Sequence, residues 1–378
     1  MRSNAIEKSS LPPALGQLLI IGFEGTKLSP RLNSLLTRIQ PAGVILFARN
    51  IKTPEQTWRL LRDCQQCVST PLFTCVDLEG GTVDRFRNVL GPTPSAADVF
   101  AARKRELFRR HGRLIGDNCR ALGFNVDFAP ALDLGFEASR PVMATRTVSA
   151  DPRQTISYAR PFLRGLADAR ILGCGKHFPG LGEGKLDSHH DLPVIDKSLK
   201  KLWAEDLLPY RTLRRQLPMV MVSHAAYPQV TRDRNPASLS KTWITDILRK
   251  QIGYRNLIVS DDLEMGGVLS AAPVGEAAVA HIRAGGDLCL VCHREDYVYQ
   301  AFDALTGTAQ DNPKFARRAA ESVKRVQASK KQSAKMLRIN KSPSSVVVAR
   351  LSRRLWEFGE QVRLEVVTRE NQKKRSRA

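Results

Sequence analysis

The sequence predicts an α/β fold: a (β/α)8 barrel with a basic C-terminal helical extension. Three observations carry this. Eight short apolar, β-rich runs recur between residues 18 and 292, separated by stretches with helical spacing. Strands that alternate with helices imply a parallel sheet. The first run is followed by GFEGTKLSP, with no G-x-G-x-x-G and no helix start directly behind it, which disfavours an open dinucleotide-binding sheet. The strands also end repeatedly in polar groups: DLEGG, DFAP, KHFPG, SHAAYP and SDDLEMGG. Buried strands have little reason to finish in Asp, His or Lys unless the C-terminal mouth of a barrel carries chemistry.

In chain order the predicted strands are LLIIGF (18–23), GVILF (43–47), LFTCVD (72–77), NVDFAP (125–130), LGCGKHF (172–178), MVMVSH (219–224), NLIVSD (256–261) and DLCLVC (287–292). Helical spacing lies between them, as in PEQTWRLLRDCQQCV (54–68) and FAARKRELFRRHGRLIGDNCRALG (100–123). A long basic helix is predicted over 312–340. After Ser342-Pro343 a weaker helix, SSVVVARLSRRLWEFGEQVRL, packs back onto the barrel. The expected organisation is a lead (1–13), a catalytic barrel (14–310), a C-terminal helix (311–340) and a basic extension (341–378). The extension is expected to be partly disordered, its last ten residues RENQKKRSRA above all.

The chain of 378 residues, 42% hydrophobic, can bury a large core. No run of about 18 apolar residues occurs, so no membrane span is expected. The N-terminus lacks the pattern of a secretory leader. Seven cysteines are an odd number and suit a reducing compartment, so a cytoplasmic location is expected. Two C-x-x-C pairs occur, Cys64/Cys67 and Cys289/Cys292. The second lies in a strand pattern, where residues three apart face opposite ways, and buried thiols are the default over zinc.

The net charge is +22, and it is uneven: 19 Lys/Arg against 6 Asp/Glu lie from residue 311 onward. The tail has no aromatic residues interleaved with its basic cluster, only Trp356 and Phe358 upstream of it. A solvated basic tail is therefore expected, rather than one that contacts nucleic acid or an anionic surface.

Asp261 ends NLIVSD, where a carboxylate projects into the mouth as a nucleophile or cation-stabilising group. Asp262 should point elsewhere, because strand side chains alternate. The plainer reading of both is capping of the next helix. In Asp187-Ser188-His189 the acid and imidazole stand two apart, close enough to hydrogen-bond in an extended segment. The carboxylate raises the imidazole's pKa and fixes its tautomer, as a general acid requires. His190 and Asp191 compete for that role. A solvated polar loop and a metal site built from Asp187, His189, His190 and Asp191 are the other readings. Glycines at 180, 182 and 184 suit a loop that moves after substrate binds.

Seven segments in order resemble glycoside hydrolase family 3, specifically its single-domain β-N-acetylglucosaminidases. They are GVILFARNIKTPEQ (43–56), VDLEGGTVDRFR (76–87), FNVDFAPALDLG (124–135), KHFPGLGEGKLDSH (176–189), MVSHAAYP (221–228), NPASLSK (235–241) and IVSDDLEMGGV (258–268), and the resemblance covers roughly residues 14–310. It implies a barrel that removes terminal β-linked N-acetylglucosamine with retention of configuration, without cofactor or metal, and points to peptidoglycan fragments as substrate. Position by position, Asp261 matches the nucleophile, and His189 with Asp187 the acid/base dyad. Asp77, Arg85, Arg146, Lys176, His177 and His224 match substrate-binding positions. Two places depart from the family pattern: Leu181 stands where histidine is usual, and ATRT (144–147) replaces G-E-R-S. A glucosidase or xylosidase of the same family is the nearest rival. Many of those relatives carry a further α/β domain and lack D-S-H after K-H-F-P-G.

Overall fold

The computed structural model describes residues 14–184 and 191–376. Eight parallel strands close into a barrel: β1 (Leu19–Ile21), β2 (Gly43–Ile45), β3 (Phe73–Val76), β6 (Val126–Asp127), β7 (Leu172–Phe178), β8 (Met219–Val222), β9 (Leu257–Asp262) and β10 (Leu288–Val291). The β4 (Leu78–Gly80) and β5 (Val83–Asp84) hairpin stands apart from it, directly after β3. Closure runs through β1, which pairs with β10 on one side and β2 on the other. The interior is filled by Ile20, Phe73, Val126, Leu172, Met219, Leu257 and Leu288, all buried. It is a packed core and leaves only the strand C-termini to build a site.

The helices begin where side chains satisfy their free N–H groups. Ser29 accepts from Leu32 N at 3.1 Å ahead of α1 (Pro30–Ile39). Thr53 accepts from Gln56 N at 3.1 Å ahead of α2 (Pro54–Gln66), and Asp151 from Arg153 N at 2.8 Å. Each is followed by proline at the first helical position, which has no N–H to lose. The predicted run 100–123 divides into a short helix, Ala96–Ala101, and α3 (Arg105–Ala121). Arg103 lies between them at φ 58°, outside any helix. Against α3 packs α4 (Pro152–Asp168). The two backbones nearly touch: a Cβ on Gly112 would stand 2.1 Å from Phe162 O, and one on Gly165 2.2 Å from Arg109 O.

Beyond the barrel, α5 (Pro313–Gln332) buries Phe315, Ala319, Val323 and Val326. It stops short of the predicted residue 340, with Ser333 before a further turn at Ala334–Leu337. Then α6 (Ser345–Arg375) returns to the barrel wall and buries Leu351, Leu355, Phe358 and Val362 beside α3, Arg87–Leu90 and Ala96–Ala101. The sequence expects RENQKKRSRA to lack structure, whereas α6 continues through it to Arg375. No glycine or proline follows Gly359, and Glu360–Arg363 and Arg353–Glu357 pairs support the helix along its length. Among the described residues no helix is long and apolar enough to cross a membrane.

Candidate active site

The strand C-termini surround a cleft of about 170 Å³. Asp77, Arg85, Arg146, Lys176, His177, Asp261 and Asp262 line it, so seven predicted or neighbouring site positions converge there. Leu181 and Met143 also reach its wall.

Lys176 sits at the inner end of β7, almost fully buried. Its Nζ lies 2.6 Å from Asp77 Oδ1 and 2.7 Å from Glu79 Oε1. Burial works against the ammonium charge, but the two carboxylates outweigh it and raise the Lys176 pKa. Glu79 also receives Arg146 through a bidentate pair, Nε to Oε2 at 2.9 Å and Nη2 to Oε1 at 2.8 Å. Burial opposes the Glu79 charge, yet Arg146 and Lys176 hold its carboxyl well below the usual range. The result is a fixed, desolvated arrangement of two acids and two cations, in which Asp77, Lys176 and Arg146 line the cleft and Glu79 ties the two cations together from behind.

His177 is oriented from behind. Its Nδ1 and its backbone N lie 2.7 and 3.0 Å from Asp133 Oδ2. The other Asp133 oxygen accepts from Leu181 N at 2.7 Å. With Nδ1 donating to that carboxylate, Nε2 is left as an acceptor 3.2 Å from Arg146 Nη2. One buried acid thus selects the tautomer of His177 and pins the start of the glycine-bearing loop.

Asp261 occupies the end of β9, and its Oδ1 accepts from Asp262 N at 2.9 Å. Burial raises its pKa, but His177, His224, the Asp262 N–H and Lys176 outweigh that and lower it, so the carboxylate is ionised. Asp262 points to the other side of the strand end, as alternation requires, and meets the cleft beside His293: it accepts from Glu264 N at 3.1 Å and lies 3.4 Å from His293 Nε2. Capping of the local turn therefore describes Asp262 and not Asp261.

His224 lies behind the cleft wall. The sequence groups it with substrate-binding residues, but it is fully buried and absent from the cleft lining. Nε2 donates to Asp262 O at 2.9 Å, and Nδ1 accepts from Ser238 Oγ at 2.7 Å. Burial lowers its pKa. Both nitrogens are used, and one of them holds the end of β9. Arg85 does line the cleft. Its Nε is buried and meets no hydrogen-bond partner among the described residues, and its guanidinium lies 5.5 Å from the Phe47 ring centre. Asp187, His189 and His190 lie outside the described residues. Among the described residues no cluster of three or more His, Cys, Asp or Glu is disposed to hold a metal.

Glu79 and Asp133 are the residues that sequence reasoning missed. Both lie inside quoted segments, and each is an acid flanked by apolar or glycine positions near a strand end, Leu78-Glu79-Gly80 and Leu132-Asp133-Leu134. An acid in such a setting is buried and must be paired, which was the available signal.

A closed parallel barrel with carboxylates and cations at its strand C-termini defines an enzyme of (β/α)8 architecture. The chain belongs to glycosyl hydrolase family 3: it matches the "Glycosyl hydrolase family 3 N terminal domain" over residues 11–328. It is 36% identical over 314 residues to a beta-hexosaminidase of Bordetella avium, covering 81% of this chain and 88% of that one. It is 35% identical over 290 residues to a beta-hexosaminidase of Idiomarina loihiensis, covering 76% and 87%. The structure of a glycoside hydrolase family 3 beta-N-acetylglucosaminidase from Paenibacillus sp. superposes with a TM-score of 0.86 at 33% identity. That match covers 92% of this chain and 68% of the other.

Proposed function

We propose that the protein is a retaining β-N-acetylhexosaminidase that releases terminal β-linked N-acetylglucosamine, with peptidoglycan fragments as its natural substrates. The observation that carries this is the ionised Asp261 at the end of β9, facing a cleft lined by Asp77, Lys176, Arg146 and His177, with Glu79 holding the two cations from behind. Asp77, Lys176, Arg146, His177 and Arg85 grip the hydroxyls and acetamido group of one sugar. Asp261 attacks the anomeric carbon from below and forms a glycosyl ester as the glycosidic bond breaks. His189, held by Asp187, gives its proton to the departing oxygen. It then takes one from the water that opens the ester, so configuration is retained and the protonation state is restored. Relatives named beta-hexosaminidase support the choice of sugar.

The test is hydrolysis of a chromogenic N-acetyl-β-glucosaminide, beside the glucoside and xyloside. Wild type should turn over the first alone, Asp261→Asn should be inactive, and Asp262→Asn should keep measurable turnover. Equal activity on the glucoside would overturn the sugar assignment. Full activity of Asp261→Asn would overturn the mechanism. Release of N-acetylglucosamine from purified muropeptides, followed by mass spectrometry, tests the natural substrate.

A further inference from the structure

The two faces of α6 differ sharply. Leu351, Leu355, Phe358 and Val362 are buried on the barrel wall, while Val346 is 70% exposed, Trp356 68%, Leu364 57% and Val367 44%. At 3.6 residues per turn these four exposed positions fall on one stripe about 80° wide and roughly 32 Å long. They are most of the large exposed apolar side chains among the described residues, Val194 being the other. The helix lies beyond the residues matched to the family domain, 11–328.

The stripe is interleaved with charge. Its two acids are neutralised on the helix itself: Glu357 lies 3.8 Å from Arg353, and Glu360 2.5 Å from Arg363. Lys374 and Arg375 extend it, and neither forms an ion pair among the described residues. Along one flank runs α3, joined to α6 by Arg354–Asp117 and Lys104–Glu365, and it presents exposed Arg105 and Arg110. Exposed Glu106 and Glu370 also lie at the edges, but Arg105, Arg110, Lys374 and Arg375 outnumber them, so the surface is apolar along its centre and net positive at its edges.

Charge and shape select the occupant. A second copy of a chain carrying +22 would be repelled. Single-stranded nucleic acid needs aromatic rings at successive positions, and this stripe offers one tryptophan among aliphatic side chains. Aliphatic residues with a tryptophan, edged by Lys and Arg on a helix too polar to span, match the boundary of an anionic bilayer. We propose that the outer face of α6 docks the protein onto an anionic lipid surface, the helix lying in the headgroup plane with Trp356, Leu364 and Val367 inserted. This replaces the expectation of a merely solvated basic tail.

The experiment is co-sedimentation of the full-length protein with phosphatidylcholine vesicles, with and without phosphatidylglycerol. Wild type should pellet with the anionic vesicles alone, and added salt should release it. Trp356→Ala/Leu364→Ala should weaken binding by at least roughly tenfold, because two apolar anchors are lost. Arg105→Gln/Lys374→Gln should weaken it with a shallower salt dependence. Circular dichroism and turnover of a soluble substrate should match wild type in all variants, since these side chains face solvent. No pelleting with anionic vesicles, or unchanged binding by the apolar variant, overturns the proposal. So does a preference for RNA or DNA at equal salt, or a dimer in solution that the apolar variant dissociates.

Discussion

Glu79 accepts two parallel hydrogen bonds from Arg146, at 2.8 and 2.9 Å, while the same carboxylate holds Lys176 at 2.7 Å. A single buried acid therefore joins the hairpin after β3 to the arginine segment after β6 and to the end of β7. Three separate stretches of sequence are fixed relative to one another by one side chain.

Replacing that acid without changing its size exposes the dependence. Glu79→Gln leaves buried Lys176 with Asp77 as its remaining ion-pair partner and buried Arg146 without a direct one, Asp133 and Asp77 acting on it only from a distance. Removing one partner of a buried pair costs about 3–5 kcal/mol. Urea unfolding should show a loss in that range, and kcat/KM should fall with it as the cluster loosens. A variant within about 0.5 kcal/mol of wild type, the scatter of neutral surface changes, would mean that Glu79 does not hold the cluster together.

The orientation of His177 gives a second prediction. Asp133→Asn keeps the shape but can present an amide N–H₂ to Nδ1. The ring would then carry its proton on Nε2, facing the Arg146 guanidinium, which can only donate. Loss of a hydrogen bond to a charged group is worth about 1.5–3 kcal/mol. KM should therefore rise roughly 10- to 100-fold, with a smaller change in thermal midpoint than Glu79→Gln causes. Unaltered KM would show that the tautomer of His177 is immaterial to binding.

Much of this arrangement is legible from the chain. The strand 172–178 coincides with its prediction, and 256–261 falls one residue from β9. Runs of residues buried on both sides of a parallel sheet leave a dense apolar signal. Cleft positions could be placed because they terminate such runs. The roles of Glu79, Asp133 and His224 were not legible, because each depends on a partner 38 to 67 residues away or on which ring nitrogen is engaged. Alternation along a strand says that Asp261 and Asp262 diverge. It does not say that His224 is spent on a backbone carbonyl behind them. In the extension the helix over 344–364 is legible from its apolar positions, Leu351, Leu355, Phe358 and Val362 among them, whereas the charge of RENQKKRSRA reads as solvation and hides the continuation of that helix to Arg375.

Lys330, on α5, contradicts its basic surroundings in the same way. It is 5% exposed, with Nζ 2.7 Å from Gln17 Oε1 and 3.3 Å from Thr70 Oγ1, and it lies over the Phe73 ring. No carboxylate pairs with it among the described residues, and burial pushes its pKa down to about 7 from 10.5. Between those values the unfolded chain binds the proton and the folded chain does not, so this residue's contribution to stability rises with pH across that window. Thermal midpoints should fall less, or climb more, from pH 7 to pH 9 in wild type than in Lys330→Met. The variant should also be the more stable of the two at pH 7. Parallel pH profiles would show that Lys330 keeps its charge in the fold.

The attachment of α6 to the barrel wall rests on Phe358. Its ring is fully buried, stacks on His111 with centroids 5.7 Å apart, and lies under the Arg110 guanidinium. Phe358→Ala removes a ring from a close-packed site and should cost about 3–5 kcal/mol of local stability. That cost falls on a helix held to the barrel mainly by one stripe of side chains. The barrel's own ladder and interior do not include residue 358. The loss should therefore appear as release of α6 before global unfolding. Limited proteolysis should cut the variant between residues 338 and 344, where the chain has neither helix nor strand, much faster than wild type. Turnover of a soluble substrate should persist in the trimmed barrel, since no residue of α6 lines the cleft. Loss of turnover in step with cleavage would instead mean that α6 supports the site through α3 and the short helix Ala96–Ala101.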